Sequence, residues 1–337
     1  MSFKRLDPED FLISADSVTA GAWTGNVPTL TKFFTSSVQI AGASGNYYMS
    51  IYQTGSTLDE AEIQFNISFG NVNGLGSLLY DAGISGKSPS STVFGQFQNI
   101  VLGDENSNFI FGTTTPVTQS FYAITVNRAR YKGNIFPGTL ELRLNSASST
   151  QYLTDNSNDT NVVSFNEAGR VYQIVSGTAG RAYSGTGYTN SGSYGLFLPD
   201  IGTILLNASA LDLSFANGGI GLNTSYASNT LANNSNKLYT AISGGANFKL
   251  NSQENVTSDY IFIRARNSEF NYSENPSFIS GSTGEVLYSD FINAPQTFIT
   301  TVGLYNDANE LLAVAKLSKP LKKDFTKEAL IRVKLDF

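Results

Sequence analysis

The sequence predicts an all-β fold, with an antiparallel sandwich-type core, few short helices and a Gly/Ser/Asn-rich β insertion or second lobe. Three observations predict it. Apolar and polar residues alternate with a period of two in several segments, as in strands with one buried face. Aromatic residues are abundant, with 23 Phe and 17 Tyr, and suit strands. No apolar stripe at helical spacing extends beyond about ten residues.

The clearest strand lies in the first third of the chain, where Ile63, Phe65 and Ile67 alternate with polar residues. The final segment is equally regular, with Ile331 and Val333 on one face and charged residues on the other. The same reasoning predicts the remaining strands, at 48–53, 121–126, 139–144, 171–175, 203–206, 260–266, 298–304, 311–317 and 329–337. Short helices are expected at 8–14 and 207–212.

Changes in composition predict three regions. Residues 1–29 are expected to form an N-terminal arm, and residues 30–145 with 241–337 a β-core. Residues 146–240 are dominated by Ser, Gly, Thr and Asn, with few Lys and Glu, and are expected to form a loop-rich inserted β lobe.

The composition excludes several classes of chemistry. The chain has 337 residues, a net charge of −6, and neither cysteine nor histidine. It therefore lacks disulfides, thiolate nucleophiles, Ser-His-Asp catalysis and metal sites ligated by Cys or His. Its acidic balance argues against nucleic acid as the main partner. No cofactor or metal is expected, and the protein is predicted not to be an enzyme.

Two kinds of polar motif could still carry chemistry. Glycines between 177 and 187 resemble a phosphate loop, but no Gly-Lys-Ser/Thr follows, so a flexible loop is the expectation. Oxygen-rich clusters at 103–108 and 155–159 could bind calcium, although they lack the EF-hand pattern and polar turns explain both.

Carboxylates are the remaining catalytic possibility. Glu60 with Glu62, and Asp307 with Glu310, are close in sequence, and two acids across a cleft can hydrolyse a glycosidic bond. The sequence places neither pair across a cleft. Carbohydrate binding by exposed Tyr and Asn side chains, without hydrolysis, is a further alternative.

Basic residues favour an interface. Arg128 with Arg130, and Arg264 with Arg266, are each expected on one strand face, where arginines fix strand register or bind an acidic partner. Residues 316–337 carry about four positive charges in excess, which suits docking onto an acidic surface of another copy. The interface candidates are Lys316, Lys319, Lys322, Lys323, Lys327, Arg264, Arg266 and Phe337.

The sequence predicts no membrane location. No stretch of 18 apolar residues is present, so no transmembrane helix is expected. The N-terminus becomes acidic where a signal peptide would become apolar. We therefore expect synthesis and assembly in a cytoplasm, without membrane insertion.

Three stretches, residues 260–276, 300–320 and 325–337, resemble the C-terminal part of structural proteins from large tailed bacteriophages. Contractile-tailed phages and cyanophages are among them, and the opening residues 3–11 are also similar to that group. The resemblance covers about 75 residues near the C-terminus. It implies a virion component of the tail, baseplate or neck, and it brings no catalytic residues.

The resulting hypothesis is a non-enzymatic virion structural protein of a tailed bacteriophage. It would assemble with other virion proteins and with copies of itself, through β-edges and terminal arms. Residues before about 27 and the strand 329–337 are the segments expected to add across subunits. The alternative is a receptor- or carbohydrate-binding fibre or adhesin module, for which a host surface glycan would be the partner; a two-carboxylate glycosidase is a third class.

Overall fold

The computed structural model describes residues 3–36, 48–77, 88–111, 118–146, 149–183, 187–227, 233–273 and 275–336. The chain divides into two compact units. Unit 1 contains Met1–Ser17 and Asn255–Phe337, and unit 2 contains Val18–Glu254. Strands β1 and β16 each run across a boundary between them.

The predicted all-β class is confirmed, because large antiparallel sheets dominate and only short helices accompany them. The strands are β1 Phe11–Gly21, β2 Thr29–Leu30, β3 Phe34–Thr35, β4 Met49–Tyr52, β5 Ile63–Asn71, β6 Ser120–Val126, β7 Asn134–Ile135, β8 Glu141–Ser146, β9 Ser149–Asp155, β10 Ser164–Asn166, β11 Gly169–Thr178, β12 Arg181–Ala182, β13 Gly195–Leu198, β14 Thr203–Asn207, β15 Phe248–Lys249, β16 Asn251–Ala265, β17 Thr297–Tyr305, β18 Leu311–Lys323 and β19 Ala329–Asp336.

Unit 2 is built on a 13-stranded sheet that curls into a half-barrel. Its main path is β2-β15-β8-β9-β11-β13-β14-β6-β5-β4-β3, and β10 and β12 also pair with β11. The path joins strands from before residue 146 with strands from 146–240.

Both faces of this sheet are buried at its centre. Along β6, Tyr122 and Ile124 belong to one hydrophobic cluster, whereas Phe121 and Ala123 belong to another. The paired strand β14 divides in the same way, and all of its residues are buried. Side chains alternate between the faces of a strand, so the sheet separates two apolar layers.

Helices contribute to both layers. Helix α1 (Pro89–Phe97) contributes Phe94 and Phe97 to one cluster, and its start is capped by Ser88, whose Oγ accepts from the backbone N–H of Ser91. Helix α3 (Asn234–Gly245) contributes Leu238 and Ile242 to the other. The apolar pattern of the sequence predicted neither helix, whereas α2 (Ala208–Asp212) matches the predicted helix at 207–212.

Unit 1 combines three pieces of secondary structure. Strands β1, β16 and β19 form a sheet in that order, and β16 pairs with β19 from Ser258↔Asp336 to Ala265↔Ala329. Strands β17 and β18 form a separate two-stranded hairpin, and the short helix α4 (Ser289–Asn293) precedes it. A helix over 8–14 was wrong: a 3-10 turn at Pro8–Asp10 leads directly into β1.

The division into units differs from the predicted regions. Residues 146–240 contribute β9, β11, β13 and β14 to the middle of the large sheet, because their apolar strand residues pair with β6 and β8. Their Ser/Gly/Asn content comes from the connections between these strands. In the described residues, no helix is long and apolar enough to cross a membrane.

Candidate assembly interface

Unit 1 has a small apolar core. Its cluster of buried side chains consists of Ile261, Ile331 and Val333, with partly buried residues packed against them. Unit 2, by contrast, has two extensive clusters. A domain of this size relies on apolar burial to offset the conformational entropy lost on folding. Unit 1 therefore buries little apolar surface within one chain, and many of its apolar side chains stay exposed.

The β17–β18 hairpin, called here the hairpin arm, exposes an apolar face. Val302 pairs with Ala315, and both pack against the small core. On the other side, Leu312 is 68% exposed and Val314 is 59% exposed. The arm is therefore covered on one face only. Because isolated two-stranded hairpins are marginal in water, the arm depends on its contacts with other parts of the structure.

The sheet of unit 1 ends in edges that pair with no further strand among the described residues. Its outer strands are β1 and β19. Three consecutive apolar residues of β1 are exposed, namely Phe11, Leu12 and Ile13, the last by 72%. Exposed strand edges with apolar side chains are templates for pairing with another chain. Part of the predicted N-terminal arm is thus an outer strand.

A third exposed apolar group lies before the hairpin arm. The rings of Tyr288 and Phe291 pack against Phe278, at centroid distances of 6.0 and 5.6 Å. Around them, Leu287, Tyr288 and Ile292 are more than half exposed. Contiguous exposed apolar surface marks interaction sites in soluble proteins. This group was not among the predicted interface residues, although three consecutive apolar residues at 286–288 were a signal for it.

The predicted lysines fall into two groups. Lys316, Lys319 and Lys322 are exposed on β18, as an interface role requires. Lys327 is also exposed, and its Nζ lies 3.8 Å from a carboxylate oxygen of Asp324.

Lys323 was predicted to lie at an interface, and the structure does not place it on the surface. Its side chain is fully buried, and its Nζ donates to the carbonyl oxygens of Asn267 and Asp324 and to Oδ1 of Asn271. The last residue of β18 points inward, so this ammonium group holds the turn 267–271 instead of facing a partner. Phe337 lies outside the described residues.

Arg264 and Arg266 are both exposed, but they have different partners. Arg264 forms an ion pair with Glu328 at 2.8 Å, and this contact raises the pKa of Arg264 and lowers that of Glu328. The backbone N–H of Arg266 donates to Glu269 Oε2, which also accepts from Lys4 Nζ at 3.0 Å. These contacts lower the pKa of Glu269. The Arg264 side chain thus has a local structural contact, whereas the recorded hydrogen bond of Arg266 comes from its backbone.

The second arginine pair does not share a strand face. Arg128–Arg130 is a 3-10 turn, so the predicted strand placement was wrong. Arg128 donates to backbone carbonyls, whereas Arg130 pairs with Glu62 at 2.7 Å. Hydrogen bonds from Thr24 and Arg130 lower the pKa of Glu62. A neighbouring groove of about 210 Å³ contains Lys132 and Glu254, which pair with each other at 2.8 Å.

The oxygen-rich clusters act as turns. Asp104 accepts from the backbone N–H of Asn106, and this bond lowers its pKa. Asp155 is buried and accepts from the backbone N–H groups of Gly138 and Ser157. Within the described part of the chain, no three acidic side chains group as metal ligands would.

The remaining motifs also have local roles. The first glycines of 177–187 lie where β11 turns into β12, and residues 184–186 are outside the described part. Glu310 accepts from Nδ2 of Asn306 at the tip of the hairpin arm, which places the Asp307–Glu310 pair in an exposed turn.

Comparison with known proteins adds no relative. No family model, no curated protein and no solved structure matches this chain.

Proposed function

We propose that this protein is a non-enzymatic structural component of a tailed-bacteriophage virion, in the tail, baseplate or neck. It assembles in the host cytoplasm, with copies of itself and with other virion proteins. The observation that carries the assembly role is the contrast within unit 1. A small apolar cluster, with three buried side chains and partly buried residues packed against them, supports long strands whose other faces and edges are exposed.

Assembly would supply the burial that unit 1 lacks. Burying apolar surface contributes about 25 cal/mol for each Å² removed from water. Covering the outer face of the hairpin arm and the edge strand β1 would therefore stabilise unit 1 as well as bind the partner. Unit 2, by contrast, has two large clusters of buried apolar side chains within one chain.

Three carboxylates of unit 2 have contacts that favour a structural role for them. A glycosidase needs two carboxyl groups facing each other across a cleft, about 5–10 Å apart. Here Glu62 is held by Arg130, Asp200 by Arg170 and Asp155 by backbone N–H groups. Each of these three carboxylates therefore has a contact that stabilises the fold.

The test is immunogold labelling of purified virions of the source phage, with antibody raised against the recombinant chain and mass spectrometry of the same particles. We expect label at one ring of the tail, baseplate or neck. Particles that carry neither label nor peptides of this chain would overturn the proposal.

A second candidate function is recognition of a host surface glycan. It is favoured by the exposed rings of Tyr183, Tyr188 and Phe165 in unit 2, because aromatic faces stack well on sugars. Label confined to fibre tips, together with glycan binding by the isolated chain, would support this function in place of the first.

A further inference from the structure

Charge is segregated along the sequence of unit 1. Between Arg266 and Lys316 the chain has no basic residue, and the acidic residues there are Glu269, Glu274, Glu285, Asp290, Asp307 and Glu310. The following segment, 316–337, is strongly basic. Within unit 1, residues 267–315, called here the acidic half, and residues 316–337, the basic half, therefore carry opposite charge.

The basic half contributes two lysines to the outer face of the hairpin arm, where they lie beside apolar side chains of the preceding segment. The outer face of the hairpin arm consists of Phe298, Leu312, Val314, Lys316 and Lys322, all exposed. Phe298 pairs with Lys322 across the hairpin, and Gly303 lies opposite Val314 without a side chain to cover it. In the described residues, Lys316 forms no ion pair. Its charge is available to a partner.

The acidic half offers a surface of matching character. The acidic segment, residues 285–292, exposes Glu285 and Asp290 beside the apolar side chains of Leu287, Tyr288 and Ile292. The ring contacts of Phe278 with Tyr288 and Phe291 hold it in shape. Apolar side chains between charges of one sign are typical of an interface core with a charged rim.

We propose that the acidic segment of one copy binds the outer face of the hairpin arm of the next copy. This inference rests on the proposed assembly function and specifies the contact. Both surfaces are exposed in the same chain, so neither covers the other within one molecule. The carboxylates of Glu285 and Asp290 meet the ammonium groups of Lys316 and Lys322, while the apolar residues pack between them.

The contact joins two different surfaces, so it is heterologous. Contacts of this kind repeat from copy to copy and generate a closed ring or an open filament, not an isolated dimer. Charge complementarity also fixes the orientation of one copy relative to the next, because surfaces of like charge repel each other. The association should therefore weaken as salt screens the charges.

The test uses two charge-reversed variants of the full-length chain. The first is Lys316→Glu with Lys322→Glu, and the second is Glu285→Lys with Asp290→Lys. We expect each alone to weaken self-association by about tenfold or more, measured by sedimentation velocity. An equimolar mixture of the two should restore association, because each variant then presents the complement of the other.

Matched controls carry the same charge changes on exposed residues of unit 2. They are Lys32→Glu with Arg181→Glu, and Asp59→Lys with Glu60→Lys. We expect both to associate like the wild type, and circular dichroism should show that every variant is folded.

Three results would overturn the inference: reversal without weakening, controls that weaken association equally, or a mixture that stays dissociated. If the wild type associates and the charge-reversed variants associate equally well, only this contact is wrong. If the wild type does not associate at all, the proposed assembly function fails first.

Discussion

The ammonium nitrogen of Lys323 lies 2.9 Å from Oδ1 of Asn271, inside unit 1. Asn271 in turn donates from Nδ2 to the carbonyl oxygen of Asn267, which also accepts from Lys323. A buried lysine with several acceptors thus joins the end of β18 to the turn that follows β16. Because unit 1 has few buried apolar side chains, we expect this polar contact to contribute a large share of the free energy of unfolding.

Replacing Lys323 with alanine should destabilise the protein. The substitution leaves Oδ1 of the buried Asn271 without this donor, whereas the carbonyl oxygens of Asn267 and Asp324 keep Nδ2 of Asn271 and the backbone N–H of Lys327. We expect a loss of about 1–3 kcal/mol in the free energy of unfolding. Urea titration followed by circular dichroism measures it. Lys319→Ala, an exposed neighbour, should change stability by less than about 0.5 kcal/mol. Equal effects of the two substitutions would contradict the buried role.

Asp155 should make stability depend on pH. Its burial raises the pKa of its carboxyl group above the ordinary value, despite hydrogen bonds from Ser157 and Gly138. A raised pKa in the folded state contributes stability below the unfolded pKa, and that stability is lost as pH rises through the folded pKa. Asp155→Asn removes this titration.

The variant should therefore gain stability relative to the wild type as pH rises from about 4 towards neutrality. Thermal unfolding of both proteins at a series of pH values measures the difference. A difference that stays constant, or that moves in favour of the wild type, would count against a buried, proton-binding Asp155.

Asp200 should act in the opposite direction. Burial alone would raise its pKa, but hydrogen bonds from the Arg170 side chain and backbone lower it. Its stabilising contribution is present above the unfolded pKa and is lost as pH falls through the folded pKa. Because the pair is partly exposed, we expect Asp200→Ala to cost about 1–2 kcal/mol near neutral pH and less in acid. A loss that is equally large at low pH would be inconsistent with this.

Two helical glycines should respond to alanine with opposite signs. A Cβ at Gly95 in α1 would meet no atom within 4 Å, whereas one at Gly245 in α3 would lie 1.8 Å from the carbonyl oxygen of Arg143. We expect Gly95→Ala to stabilise by about 0.5–1 kcal/mol, because alanine has the higher helix propensity. Gly245→Ala should destabilise, because α3 must move away from β8. Denaturant unfolding of the two variants in parallel tests the packing of both helices.

The alternation of side chains made part of the fold predictable. Strands β5 and β19 were found from the period of their apolar residues. Helix α3 was missed because its buried positions include Asn234, Ala241 and Gly245, which make no apolar stripe in the sequence. Close packing on Arg143 of β8 requires Gly245, and hydrogen bonds to Gly76 and Ser225 bury Asn234. These contacts are visible only in three dimensions.

The candidate interface was predictable only in its charge. A run of lysines predicts exposure, yet Lys322 faces out and Lys323 faces in, since adjacent strand residues lie on opposite faces. The apolar outer face, with Leu312 and Val314, could not be found from the pattern. Whether an apolar strand residue is covered depends on the element opposite it, and that element is distant in the sequence.

Self-association of the full-length chain decides whether the protein is an assembly component. Sedimentation velocity over a range of protein concentrations, at low and high salt, measures it. We expect species larger than the 36.2 kDa chain that grow with concentration and dissociate as salt increases. A folded chain that remains a 36.2 kDa monomer under all of these conditions would contradict it.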